Sequence, residues 1–165
     1  MSREITAEPL TARAFAPFGD VIEKRARPDM LINAGKCARH HALASVDADA
    51  DAPIDISIFH SQPCRLPLVL DMLERHPKGS QAFMPLSGDP FLVVVAPDAG
   101  GAPGKPQAFL TDGRQGVQYA RNVWHGVLTP LRRASDFLVV DRIGHGDNLE
   151  IHRFDRPYSV HAEDT

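Results

Sequence analysis

Short apolar runs broken by Gly, Pro and Asp recur along the whole chain, and their spacing predicts many short strands. Ile54-Asp55-Ile56-Ser57-Ile58 alternates apolar and polar positions, the period of a half-buried strand. Phe91-Leu92-Val93-Val94-Val95-Ala96 is the longest apolar run and has strand length. Further strands are expected over 20–23, 31–33, 68–74, 81–86, 107–111, 117–119, 123–128, 137–141 and 149–154. The stretch 66–73 also fits a helical face through Leu66, Val69, Leu70 and Leu73, and Pro67 and Pro77 do not decide between the two. One short helix is expected near the start, with Thr11 as N-cap, running through Phe15 and ended by Pro17 and Gly19. Two stretches read as loops: the acidic, small-residue segment 47–53 and the Gly/Pro-rich segment 98–106. Regular strand spacing with 12 Gly and 14 Pro points to a sandwich or barrel.

Composition narrows the class. A chain of 165 residues is expected to form one domain, 1–165. Apolar residues at 43% and charged residues at 24% read as globular. Net charge is −3 and no Lys/Arg stripe forms, which argues against nucleic acid as a partner. No apolar run approaches membrane-spanning length, so no membrane association is expected. Met1-Ser2-Arg3-Glu4 lacks the apolar core of a signal peptide, and Cys37 and Cys64 form no CxxC. A cytoplasmic location with both thiols reduced is the expectation.

Chemistry concentrates in Glu74-Arg75-His76-Pro77-Lys78-Gly79-Ser80-Gln81, directly after the apolar residues 68–73. Alternate side chains on a strand share a face, so Leu68, Leu70 and Met72 are expected to share one with Glu74 and His76. If the leucines face a barrel interior, an acid and a base stand at the mouth of a pocket. His76 and His125 are candidate proton-transfer groups or metal ligands, because imidazole titrates near neutrality and binds divalent ions; the competing role is a hydrogen-bonded core histidine. Glu74 is a candidate base or ligand, against a surface ion pair with Arg75 or Lys78. Gln81 donates and accepts hydrogen bonds but ligates metals poorly. Arg75, Lys78, Arg121 and Arg142 are candidates to clamp a carboxylate, each weighed against solvated surface charge. Between residues 122 and 125, strand parity sets Val123 and His125 on one face and Asn122 and Trp124 on the other, which makes Trp124 a packing residue and leaves Asn122 a polar candidate.

The spacing Glu74-x-His76-x4-Gln81-x6-Gly88 is similar to the first cupin motif, in which His-x-His, a later Glu and a closing Gly surround a metal. Here Glu stands for the first His and Gln for the Glu. Tyr119-Ala120-Arg121-Asn122-Val123-Trp124-His125 sits where the second cupin motif brings its third His. With these replacements, Glu-Arg-His-Pro, Gln-Ala-Phe, the run 91–96, Arg-Asn-Val-Trp-His, Phe18-Gly19-Asp20-Val21-Ile22 and Asp136-Phe137-Leu138 resemble the ureidoglycolate lyase family over about residues 15–142. The resemblance implies an all-β, cupin-type double-sheet barrel of the jelly-roll kind with a short N-terminal helix. It implies cleavage of ureidoglycolate to glyoxylate and urea in allantoin breakdown, by a homodimer. Catalytic residues would be Glu74, His76 and His125; Arg75, Lys78, Gln81, Arg121, Asn122, Asn33 and His41 would bind substrate. If one divalent metal ion is bound, Glu74, His76 and His125 form its two-His, one-carboxylate set. No organic cofactor is expected. Three other activities compete: hydrolysis of the same substrate to ammonia and carbon dioxide, a metal-dependent cupin acting on another small hydroxy acid, and a non-catalytic binding cupin.

Overall fold

The computed structural model describes residues 3–163, and they are nearly all β. β1 (Arg3–Pro9) leads to Thr11, whose side chain accepts the Ala14 N–H at 3.2 Å and caps the single-turn helix α1 (Ala12–Phe15). β2 (Gly19–Ile22) follows, then β3 (Met30–Ile32), β4 (Cys37–Arg39) and β5 (Ile54–Ser61). The ambiguous stretch is a strand, β6 (Leu68–Arg75). After it come β7 (Gln81–Pro85), β8 (Phe91–Ala96), β9 (Gln107–Leu110) and β10 (Gly116–Tyr119). The expected strand over 123–128 divides into β11 (Trp124–His125) and β12 (Thr129–Pro130), and β13 (Ser135–Arg142) and β14 (Glu150–Ala162) complete the chain.

Six strands close on themselves in the order β6-β14-β1-β9-β8-β11, with β12 added along β8. The ring is mixed: β1 runs parallel to β14 and β9, and the other neighbours are antiparallel. A second, five-stranded sheet, β2-β10-β7-β13-β5, lies across it, and β3 and β4 form a separate hairpin. This is the expected all-β cupin-type barrel.

Each face of β8 feeds a different core. Phe91, Val93 and Val95 pack between the two sheets with Phe83, Val117, Tyr119, Phe137 and Val139. Leu92, Val94 and Ala96 point into the closed ring with Ile5, Leu70, Leu73, Trp124 and Val160. A run apolar at every position is what a strand buried on both faces requires. Among the described residues, no helix is long and apolar enough to cross a membrane, and Cys37 and Cys64 are free thiols.

The simple alternation expected along β6 does not hold. Leu70 and Leu73, three residues apart, both enter the ring core. The phase slips where the register of β14 jumps between Arg153 and Tyr158, opposite Met72 and Leu70. Glu74 therefore faces away from Leu73 and the ring interior. It looks toward the second sheet instead.

Candidate active site

His125 sits in β11 between two strands, paired with Glu74 on β6 and with Val95 on β8. Cross-strand partners share a face, so Glu74 and His125 join Val95 on the side that looks at the five-stranded sheet. From that sheet, Gln81 pairs with Tyr119 on one side and Asp141 on the other. Tyr119 lies flat on the His125 ring, with centroids 4.2 Å apart and planes 2° from parallel. His76 enters from the turn after β6. Its main-chain carbonyl accepts the Asn122 N–H at 2.9 Å, with Asn122 itself in the left-handed region at φ 66°. The His76 and His125 ring centroids are 5.2 Å apart. One donor atom from each of Glu74, His76 and His125 lies within 4.8 Å of the others.

Both histidine tautomers follow from their hydrogen bonds. His76 Nδ1 meets the Asn148 carbonyl at 2.8 Å, and His125 Nδ1 meets the Gly126 carbonyl at 3.0 Å. A carbonyl only accepts, so each Nδ1 carries the hydrogen and each neutral ring keeps its lone pair on Nε2. Both Nε2 atoms, and Gln81 Oε1, are buried with no hydrogen-bond partner. Burial pushes His125 down to about 3, against the raising effect of its Gly126 bond, so the ring is neutral at ordinary pH. Burial also raises the Glu74 carboxyl, with nearby His76 opposing. Burial first, then the Glu74 charge, push the Tyr119 phenol up.

The centre is thus built almost wholly of acceptors: two imidazole lone pairs, a carboxylate and an amide oxygen. Such a set calls for a cation or a ligand rich in N–H and O–H groups. A divalent cation fits it, since each imidazole is oriented by a bond from its other nitrogen, the arrangement that metal-bound histidines use.

The family model for ureidoglycolate lyase matches residues 2–161. The chain belongs to the ureidoglycolate lyase family. It is 57% identical over 160 residues to a ureidoglycolate lyase of Chelativorans sp. (strain BNC1), covering 96% of this chain and 97% of that one. It is 59% identical over 143 residues to that of Rhodobacter capsulatus, covering 87% and 89%, and 57% identical over 153 residues to ureidoglycolate lyase 2 of Rhizobium meliloti, covering 92% and 94%.

Within this family member, the substrate-binding candidates divide. Gln81 joins the cluster. Asn122 contributes its main chain to holding His76, and its side chain is exposed. Arg75 is turned away from Glu74: it bonds Asp98 at 2.9 Å and Glu150 at 2.6 Å and stacks 4.3 Å over Trp124. Trp124 packs in the ring core, as its parity predicts, with its indole N–H donating to Asp98. Arg121 is held by both oxygens of Asp47, and Arg142 by Asp49. The acidic loop thus satisfies both arginines. Lys78 donates its main-chain N–H to Asn148 Oδ1, and its ammonium sits beside Gly146. Asn33, at φ 54° in the exposed β3–β4 turn, and exposed His41, whose N–H donates to Asp29, are not brought to the cluster.

Tyr119, Asp141 and Asn148 join the site without being among the sequence candidates. Two of them carry a readable signal. Val117-x-Tyr119 and Phe137-x-Val139-x-Asp141 each put a polar group on a buried strand face. Asn148 lies in a loop and carries none.

Proposed function

We propose that this protein cleaves ureidoglycolate to glyoxylate and urea, with Glu74, His76 and His125 as its catalytic centre in one domain spanning 1–165. The observation that carries the proposal is the convergence of three lone-pair donors within 4.8 Å, with both imidazole Nδ1–H groups committed to main-chain carbonyls. The substrate carbon bears a hydroxyl, a carboxylate and a ureido nitrogen. Elimination removes the hydroxyl proton, breaks the C–N bond and protonates the departing nitrogen. The proton lost from oxygen is the proton gained by nitrogen, so one group that takes it and returns it suffices. Glu74 is suited to that shuttle. Its raised pKa moves it toward the range where a carboxyl both accepts and donates. His76 and His125 present buried, unpartnered Nε2 atoms that hold and orient.

Glu74, through one carboxylate oxygen, and the two Nε2 atoms would hold one divalent cation, which would supply a Lewis acid for the hydroxyl and a countercharge for the carboxylate. That countercharge matters because Arg75, Arg121 and Arg142 are each already paired with a carboxylate. The metal is tested by elemental analysis of protein purified without chelator. About one divalent ion per chain is expected, with His76→Ala and His125→Ala both losing it. Ion-free protein of full activity would remove the cation from the proposal and leave the proton shuttle standing.

The protein is further proposed to be a cytoplasmic homodimer. Free Cys37 and Cys64 suit a reducing compartment. The outer face of the five-stranded sheet exposes Ile56 and Ile58 on its edge strand β5, beside Val140 and Leu138 on β13. A second copy of that face would cover both the apolar patch and the strand edge.

A further inference from the structure

Asp141 controls which end of the Gln81 amide faces the site. Gln81 Nε2 donates to Asp141 Oδ2 at 2.9 Å. A carboxylate only accepts, so it holds the NH2 end, and turning the amide round would set two acceptors against each other. That leaves Oε1 as the free end of the amide. It is buried without a partner, in a residue only 7% exposed. Asp141, Gln81 and Tyr119 are cross-strand neighbours on the face that looks toward His125. A buried carbonyl oxygen left unpaired is unfavourable, and a ligand N–H would relieve it.

We propose that Asp141 is a positioning residue that sets the Gln81 amide oxygen-inward, and that Gln81 Oε1 accepts an N–H of the ligand's ureido group. This rests on the activity proposed above and names the end of the substrate that the site reads. A ureido group carries N–H donors on both sides of its carbonyl. An ester or carbonate analogue offers only acceptors to Gln81 and is excluded by repulsion between lone pairs. Without the Asp141 carboxylate, the amide is free to turn its NH2 inward, where it would meet the ligand's N–H donor to donor. The same pair explains why a glutamine serves at position 81. A carboxylate there would stand against Asp141 with like charge.

The test compares the native enzyme, Asp141→Asn, and the double variant Gln81→Glu/Asp141→Asn. The double variant exchanges the two groups between the strands. The carboxamide introduced at position 141 donates its NH2 to one oxygen of the carboxylate introduced at position 81, and the other oxygen still faces inward as an acceptor. Asp141→Asn is expected to raise KM roughly 10-fold, with a smaller change in kcat, and to weaken inhibition by urea by a similar factor. The double variant should recover most of both. Melting temperature confirms that each protein folds, and Asp141→Ser replaces Asp141→Asn if the latter does not. Unchanged KM and urea inhibition in folded Asp141→Asn and in folded Asp141→Leu, which lacks the acceptor that asparagine Oδ1 still offers Gln81, would overturn the assignment, as would a loss in Asp141→Asn that the double variant fails to recover. Native protein that leaves ureidoglycolate uncleaved would defeat the activity itself, whereas native turnover with both variants indifferent defeats only this role of Asp141.

Discussion

Two hydrogen bonds to main-chain carbonyls decide what His76 and His125 offer a ligand, and the burial of Glu74 decides when its proton can move. Replacing Glu74 by Gln keeps the shape and an oxygen donor but removes the proposed shuttle. Glu74→Gln is expected to lower kcat roughly 10²–10⁴-fold. Its melting temperature should stay near native, because burial disfavours the charge of this carboxyl and the amide keeps its shape. A clearly destabilised Glu74→Gln with near-native turnover per folded molecule would show a structural role instead. At this scale the sequence is informative about which residues converge, since Glu74, His76, Gln81 and His125 all carry the spacing of a ligand set. It is poor at telling which cations remain available. Arg75, Arg121 and Arg142 read as carboxylate clamps, but their partners Asp98, Asp47 and Asp49 stand at least 23 residues away along the chain, beyond what local pattern can pair.

At the scale of elements, strand identity is legible in the sequence and strand phase is not always. The alternating and all-apolar runs place β5 and β8 correctly, but burial explains only β8: along β5 Ile54, Ile56 and Ile58 are exposed, so the expected half-buried face is instead an outward apolar one. β6 resists, because a register jump in β14, distant in sequence, shifts its phase between Leu70 and Leu73. The first strand leaves almost no mark. Its buried positions are only Ile5 and Ala7, and a small alanine carries little hydrophobic period. The hairpin β3–β4 is half legible: neither strand has a buried residue, and only the apolar run Met30–Ile32 marks β3. One glycine couples an element to the site. Gly19, at φ 150°, pairs with Tyr119, and a Cβ there would lie 1.8 Å from the Gln118 carbonyl oxygen. Gly19→Ala is expected to cost at least about 2 kcal/mol through backbone strain and displacement of β10. Because β10 carries Tyr119 onto His125, kcat should fall as well. Chemical denaturation and turnover on one preparation read both; native values for each would contradict the strain and its coupling to the site.

For the whole molecule, the two sheets enclose the cluster from both sides, while the outer face of the five-stranded sheet stays apolar, with Ile56 at 71% and Ile58 at 57% exposed. Light scattering at micromolar concentration should give twice the chain mass, and Ile56→Lys should shift it toward the monomer. A native mass of one chain would remove the dimer. Family membership rests on near-complete coverage by relatives above 50% identity, but the chemistry turns on where the substrate breaks. In the proposed mechanism a proton passes from the substrate's oxygen to its nitrogen, and no water is aimed at the ureido carbonyl. The most direct measurement is therefore the nitrogen product that purified protein releases from ureidoglycolate. Urea and glyoxylate in equal amounts, with no ammonia, is the predicted result; ammonia released in step with glyoxylate would contradict it.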